Sequence, residues 1–165
     1  MKRYILPEKM LTYMTHATKH TFGHQFFSKF KLLDPPDDPS IYIVEFPVEL
    51  QHCNAGKTLH GGVTSTLVDL VTTLGLTSNC PNLRMNVSVS LQTDFLKGVS
   101  PGEKIKLISK TNRVGKTMGF TTCTIFNEKE EMISSASHVK AFIDKPLKEE
   151  IEKFFANQRN SSQNN

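Results

Sequence analysis

The sequence predicts an α+β domain in which an antiparallel sheet of about six strands wraps around one long central helix. Three observations indicate this fold. Residues 58–83 carry a single formal charge, Asp69, among apolar residues at helical spacing. Strand-like runs flank this helix, two before it and four after it. Gly98, Gly102 and Gly115 lie in the short turns between the later runs, which favours antiparallel neighbours.

The segment before the central helix predicts a helix and a pair of strands. Pro7, followed by an acidic residue, is typical of a helix start, so a helix is predicted over 8–20. The runs at 26–33 and 41–50 are predicted strands, separated by the proline- and acid-rich turn at 34–40. These two strands would form a hairpin with an enlarged loop.

The central helix has two different faces. On a helical wheel of about 100° per residue, one face is apolar and should pack on the sheet. This face consists of Val63, Leu67, Leu70, Val71 and Leu74. Asp69 lies on the other side, among small or hydroxylic residues. An isolated helical Asp usually points to water, but the absence of any other charge predicts that this second face is also covered. A buried carboxylate needs a partner, and such groups often act as general bases.

The rest of the chain predicts four strands and a terminal helix. The strands are expected at 86–96, 103–114, 117–127 and 132–143. A short amphipathic helix is predicted over 145–155, and the polar tail QRNSSQNN is predicted to be disordered. The chain therefore divides into an N-terminal helical extension at 1–24, a central domain at 25–144, and a C-terminal helix with its tail at 145–165.

Composition excludes several classes of protein. Of the 165 residues, 38% are hydrophobic and 22% are charged, an ordinary balance for one globular domain. The net charge of +4 fits an anionic ligand and equally well the ordinary range of soluble proteins, and the scattered Lys and Arg residues do not predict nucleic-acid binding. No apolar run approaches the roughly 20 residues of a membrane span. The three widely spaced cysteines predict reduced thiols, with no disulfide framework, metal site or cofactor.

The first residues bear on the compartment. MKRYILPEKM starts with basic residues but has no apolar segment after them, so secretion is not expected. The first 31 residues contain Lys and Arg but only one acid, Glu8, together with several hydroxyls. This composition is typical either of a basic surface helix or of a transit peptide. We therefore expect a cytoplasmic or mitochondrial protein.

The start of the central helix predicts a second chemical element. His60-Gly61-Gly62 lets the backbone approach a ligand closely, and the first N–H groups of a helix lack internal partners. These N–H groups could hold a developing oxyanion. Gly61 and Asp69 are eight residues apart, which is about 12 Å along the helix axis. If both act on one carbonyl, they must come from two copies of the chain with antiparallel helices.

These residues resemble a known family. The segment NAGKTLHGGVTSTLVDLVTT is similar to the Asn, His-Gly-Gly and Asp signature of hotdog-fold acyl-CoA thioesterases, the PaaI and 4-hydroxybenzoyl-CoA thioesterase superfamily. The order of elements matches from about residue 10 to 143. VGKT at 114–117 and SHVKAF at 137–142 resemble the eukaryotic branch of this family.

The resemblance implies a hotdog fold at 25–144 and hydrolysis of fatty acyl-CoA to a free fatty acid and CoA. The backbone N–H of Gly61 would hold the thioester carbonyl oxygen. Asp69 of a neighbouring subunit would act as general base on water or, alternatively, as a nucleophile. Asn54 would orient the water or the carboxylate, and Ser88 would hydrogen-bond the water. The site would be shared in a homodimer, which in this family commonly pairs into a tetramer.

The resemblance also implies where the acyl-CoA substrate lies. The CoA nucleotide would bind on the late strands, and Gly62 would contribute at the helix start. The residues expected to bind substrate or CoA are Gly62, Arg113, Lys116, Thr117, His138 and Lys140.

The chain departs from the family signature at two positions, and two other functions remain open. The family often has Gly three residues after Asn54, where this chain has Lys57, and often has Asp where this chain has Ser90. The alternatives to a thioesterase are a non-catalytic acyl-CoA-binding module and a hydratase or dehydratase of acyl thioesters. The latter would use His60 with an acid.

Overall fold

The computed structural model describes residues 1–33 and 37–163, which form four α-helices, two short 3-10 helices (Leu50–His52 and Pro81–Leu83) and six strands. The helices are α1 (Pro7–Ala17), α2 (His24–Phe27), α3 (Gly61–Asn79) and α4 (Lys148–Gln163). The strands are β1 (Lys31–Leu32), β2 (Ile41–Pro47), β3 (Arg84–Phe95), β4 (Lys104–Val114), β5 (Met118–Asn127) and β6 (Met132–Pro146).

All six strands belong to one antiparallel sheet in the order β1-β2-β4-β5-β6-β3. The predicted α+β fold with one long central helix is therefore confirmed. β2 alternates strictly between buried and half-buried residues, as a strand with one face on the core should. β3 occupies a sheet edge and has mostly exposed side chains, among them Val87 and Val89. An exposed apolar edge of this kind is a surface that can pair with another strand.

The central helix α3 packs across the sheet, mainly against β4, β3, β5 and β2. Of the predicted apolar face, Leu67, Val71 and Leu74 are fully buried, while Val63 and Leu70 are partly buried against the core. Burying such a side chain contributes roughly 1.5–3 kcal/mol each. This packing holds α3 at a fixed height above the strands.

The predicted strand at 26–33 is largely wrong. Most of this run belongs to α2 and the turn after it, and only β1 is extended. Phe26 and Phe30 lie four residues apart, so one helical turn directs both rings at Phe46 of β2. Burial of these aromatic rings therefore prevails over the strand preference of the sequence. The pairing of β1 with β2 confirms the predicted hairpin, and residues 34–36 of its loop lie outside the described residues.

The C-terminal helix is longer than predicted. α4 continues to Gln163, so the prediction of disorder is wrong for residues 158–163, while 164–165 lie outside the described residues. Its first turn is fixed by a hydrogen bond from Leu147 N–H to Leu83 C=O and by burial of Ile151. No helix in the described ranges is both long and apolar enough to cross a bilayer. Cys53, Cys80 and Cys123 are unpaired, as their spacing predicts.

Candidate functional site

The loop before α3 fixes Asn54 through Thr58. Asn54 donates from Nδ2 to Thr58 Oγ1 at 3.0 Å, and its Oδ1 accepts from Thr58 N–H at 3.2 Å. Backbone hydrogen bonds close the same loop, from Asn54 N–H to Thr58 C=O and from Lys57 N–H to Asn54 C=O. Lys57 has φ of 56°, the left-handed conformation that a glycine would adopt most easily. The loop therefore forms although Lys57 replaces the Gly that the family often has there.

The first turn of α3 leaves the N–H of Gly61 available. His60 is the N-cap of the helix, and its Nδ1 accepts from Gly62 N–H at 2.8 Å. This contact makes His60 a structural cap and occupies Gly62, which was predicted to bind substrate. Within the described part of the chain, Gly61 N–H has no hydrogen-bond acceptor. Gly61 and Asn54 line a common cavity of about 320 Å³.

Phe95 forms one wall of this cavity, which the sequence did not reveal. An added Cβ at Gly61 would lie 3.3 Å from two carbons of the Phe95 ring. The ring is 58% exposed, so it covers the helix start without being part of the core. Phe95 is the last residue of β3, and only the three-dimensional structure brings it to Gly61.

Asp69 lies in a second cluster, with residues from β3 and β6. Its Oδ1 accepts from Lys140 Nζ at 2.6 Å and from Ser88 Oγ at 3.0 Å. Lys140 Nζ also lies 3.2 Å from Ser88 Oγ, and His138 Nε2 lies 3.8 Å from Asp69 Oδ1. Because all three groups approach Oδ1, Oδ2 is the oxygen available to a water molecule.

The sheet register explains how this cluster forms. Ser88 and Lys140 are direct cross-strand partners, and a bulge follows between Ser88 and Ser90. His138 and Lys140 are two residues apart on β6, so both side chains point to the same face, towards α3. His138 Nδ1 meets Thr72 Oγ1 of α3 at 2.8 Å. The strands thus present a cation, a hydroxyl and an imidazole to one side of the helix.

The charges of the cluster depend on one another. Partial burial acts to raise the pKa of Asp69, but the Lys140 charge and the hydrogen bonds from Lys140 and Ser88 outweigh it, so the pKa lies below its usual value. Burial, reinforced by the Lys140 charge, lowers the pKa of His138 to about 4, which makes its ring neutral at pH 7. Burial also lowers the pKa of Lys140, against the effect of Asp69. Asp69 is therefore ionised at neutral pH.

The lowered pKa of Asp69 also has a consequence for stability. Because the pKa is lower in the folded than in the unfolded chain, the ionised carboxylate stabilises the fold above the unfolded-state pKa. This stabilisation is lost as the pH falls through the folded-state pKa. The Asp69 side chain is 40% exposed in the single chain, so it is half-buried rather than fully covered as the sequence predicts.

His138 and Lys140 lie elsewhere than the resemblance implies. They were expected to contact the CoA nucleotide, but their exposed fractions are only 1% and 2%. Both side chains face α3 instead of the outer surface, because the register of β6 directs them inwards. Their position connects them to Asp69 and corrects the expectation of a direct nucleotide contact.

The other residues expected to bind CoA lie together at the turn between β4 and β5. Arg113, Lys116 and Thr117 are exposed there. Arg84, which the sequence did not single out, donates from Nη1 to Lys116 C=O at 3.0 Å and stacks on the Phe142 ring at 4.3 Å. This turn therefore carries several cations on an open surface.

Two groups of candidate residues thus occupy different parts of one chain. Asn54 and Gly61 lie at the start of α3, and Asp69 and Ser88 lie further along the helix. The axial separation of Gly61 and Asp69 is about 12 Å, as the helical rise requires. One chain therefore does not bring all the candidate residues to a single carbonyl group.

Comparison with known proteins agrees with this fold and these motifs. The model of the thioesterase superfamily matches residues 56–134. Human acyl-coenzyme A thioesterase 13 is 34% identical over 103 residues, covering 62% of this chain and 73% of that protein. The putative esterase F42H10.6 of Caenorhabditis elegans is 32% identical over 102 residues, covering 61% of this chain and 60% of that protein.

A solved structure extends the similarity to most of the chain. Zebrafish thioesterase superfamily member 2 superposes with a TM-score of 0.75 at 26% identity, covering 84% of this chain and 99% of that one. The shared fold therefore extends well beyond the segment that the thioesterase model matches. The chain belongs to the thioesterase superfamily and has its hotdog fold.

Proposed function

We propose that this protein hydrolyses fatty acyl-CoA thioesters in a site completed by two subunits. The observation that carries the proposal is an ionised Asp69, paired with the buried Lys140, eight residues along α3 from the free N–H of Gly61. The similarity to human acyl-coenzyme A thioesterase 13 supports an acyl-CoA substrate. Neither a metal ion nor a nucleophilic triad is needed for this reaction, because CoA leaves as a stabilised thiolate.

In the proposed mechanism, Gly61 N–H of one subunit binds the thioester carbonyl oxygen. The partner's Asp69 removes a proton from a water molecule through Oδ2, and the water oxygen attacks the carbonyl carbon. The tetrahedral intermediate carries its negative charge on the oxygen at Gly61. The intermediate then expels the CoA thiolate, which takes the electron pair of the broken C–S bond and receives the proton from Asp69. Ser88 and Asn54 orient the water and the carbonyl.

The proposed dimer forms through the free edge of β3. Two copies pairing antiparallel at this edge would continue the sheet and cover Val87 and Val89. Ser88 lies on the same strand and touches Asp69, so the pairing would bring the Asp69 cluster next to the partner's helix start. The family resemblance favours a further association of two dimers into a tetramer.

Lys140 is a positioning residue in this proposal. Its ammonium holds Asp69 ionised and fixes Oδ1, which directs Oδ2 towards the water. The CoA nucleotide is assigned instead to the exposed turn with Arg113, Lys116 and Thr117, where Arg84 adds a fourth nearby polar side chain. Lys and Arg are suitable partners for phosphate at such a surface.

The alternatives have less support from the geometry. A hydratase or dehydratase would need His60 as a base, but His60 Nδ1 is engaged by Gly62 N–H. A module that only binds acyl-CoA would gain nothing from an ionised carboxylate beside the acyl group, since a charge there is costly to desolvate. Hydrolysis, in contrast, uses both the ionised carboxylate of Asp69 and the free N–H of Gly61.

Asp69→Asn should lower kcat for a fatty acyl-CoA between about 100-fold and 10,000-fold, because an amide cannot accept the proton from water. Asp37→Asn is the matched control, since it removes the same charge from an exposed position in the loop before β2, away from β3. Turnover is measured with palmitoyl-CoA and shorter acyl-CoAs by trapping free CoA thiol. Wild-type turnover of a folded Asp69→Asn protein would contradict the role of Asp69.

Gly61→Pro should lower kcat by about 100-fold or more, because it removes the N–H that would hold the oxyanion. Proline is tolerated at the first position of a helix, and the preceding His60 already has the extended backbone that proline requires, with φ of −68° and ψ of 132°. Gly61→Ala is the control, since it adds the same Cβ against Phe95 but keeps the N–H. Equal losses in both variants would attribute the effect to steric contact rather than to the N–H.

Coexpression of Gly61→Pro and Asp69→Asn chains should restore activity. A mixed dimer has two sites, one with both native residues and one with neither, so the purified mixed dimer should have about half the wild-type specific activity. The two chains carry different affinity tags, and the mixed species is purified and assayed beside each parent variant. If the mixed dimers are present but are no more active than either parent variant, each site must lie within one chain.

Lys140→Met should move the acid limb of the kcat/KM profile to higher pH. Lys140 lowers the pKa of Asp69, so its removal raises that pKa and Asp69 becomes protonated at a higher pH. Lys140→Arg keeps the positive charge and should retain an acid limb near that of the wild type. An unchanged acid limb in a folded Lys140→Met protein would show that Lys140 does not control the protonation of Asp69.

A further inference from the structure

A second cavity lies at the other end of α3, where the two ends of the chain meet. We call it the terminal pocket; it has a volume of about 470 Å³. Its apolar lining comes from Ile5, Leu83, Ile151 and Phe155. Tyr4 N–H donates to Ser78 C=O of α3 at 2.8 Å, which holds the N-terminal segment beside this cavity. A backbone hydrogen bond thus anchors one wall of the pocket to α3.

Positive charges gather at the rim of the terminal pocket. Lys9 of α1 and Lys148 and Arg159 of α4 line it, with Glu152 as the one acid among its lining residues. Lys148 and Glu152 approach only to 4.0 Å and are both exposed, so they compensate each other weakly. Lys9 lies 5.8 Å from the centre of the Phe155 ring, which sets a cation directly over the apolar lining. The rim therefore has an excess of positive charge.

This combination of features selects a class of ligand. A cavity of this size that combines apolar residues with several polar and charged groups suits a small amphipathic molecule. The aliphatic and aromatic lining suits a hydrocarbon body, and the cations at the rim suit an anionic head group. A lipid with an uncharged head would leave the rim charges without a partner.

The terminal pocket is separate from the proposed reaction site. It takes none of its lining residues from the segment matched by the thioesterase model except the turn Pro81–Leu83. That turn follows the end of α3 at Asn79, which lies about 15 Å along the helix axis from Asp69 at 1.5 Å per residue. Asn82 and Leu83 have φ of 60° and 51°, so this wall has an uncommon backbone conformation.

We propose that the terminal pocket binds a fatty carboxylate, with its alkyl chain between Ile151 and Leu83 and its carboxylate at Lys9 and Arg159. This binding does not depend on the proposed hydrolysis. A fatty carboxylate is also the acid that acyl-CoA hydrolysis would release, so the experiment must distinguish the two cavities.

Decanoate, below its micelle concentration, is titrated into the full-length protein with labelled isoleucine methyl groups. Ile5 and Ile151 line the terminal pocket, whereas Ile133 lines the cavity at Gly61. We expect saturable methyl shifts at Ile5 and Ile151. Shifts confined to Ile133, or no saturable shift, would overturn the proposal. 1-Decanol has the same alkyl chain but an uncharged head group, and it is titrated in the same way. If it shifts Ile5 and Ile151 with the same affinity as decanoate, the assignment to an anionic ligand is overturned.

Charge variants provide the second arm of the experiment. Lys9→Ala with Arg159→Ala should weaken decanoate binding about tenfold, because two exposed cations each contribute modestly to affinity. Lys153→Ala with Lys129→Ala removes the same charge outside the terminal pocket and should leave the dissociation constant unchanged. If both double variants weaken decanoate binding equally, the effect comes from the net charge of the protein, and the proposed binding site is wrong.

The same titration separates this proposal from the proposed function. Asp69→Asn should leave the shifts at Ile5 and Ile151 unchanged, even if that variant abolishes turnover. Conversely, if turnover survives Asp69→Asn, the proposed mechanism is refuted. That result would not bear on the proposal that decanoate binds in the terminal pocket. Circular dichroism of each variant confirms that the fold is retained.

Discussion

The packing of α3 on the sheet is the constraint on which the rest of the structure depends. The buried residues Leu67, Val71 and Leu74 fix the rotation of the helix, and this rotation turns Asp69 towards β3 and β6. The same rigidity fixes the distance from Asp69 to the first N–H of the helix. A site that needs both groups must therefore be built by association, and no side-chain rearrangement within one chain could replace it.

The ion pair between Asp69 and Lys140 follows from this packing. A buried ammonium is costly without a partner, and Asp69 supplies the compensating charge. The compensation acts in both directions, since Lys140 keeps Asp69 ionised although partial burial alone would favour its neutral form. A carboxylate with a lowered pKa is a weaker base. It is nevertheless present in its reactive form over a wide pH range, which suits a substrate with a good leaving group.

The sequence predicted the long elements of the fold well and the contacts of individual side chains poorly. The central helix and the four late strands follow from periodicity over ten or more residues, which tertiary contacts rarely override. The run from Phe26 to Phe30 is too short for such a signal, and packing against Phe46 decided its conformation. Likewise, the register of the β3–β6 pairing beside Ser88 decides whether Lys140 faces α3 or the outer surface. This register cannot be read from a single sequence.

Lys57 shows how a departure from the family signature can leave the site intact. With φ of 56°, it adopts the left-handed conformation at a cost of about 1 kcal/mol relative to glycine. The loop hydrogen bonds between Asn54 and Thr58 act against that cost, because they close the turn that contains Lys57. Lys57 therefore adopts the turn at an energetic cost. Asn54 remains in the cavity with Gly61, where the proposed reaction needs it.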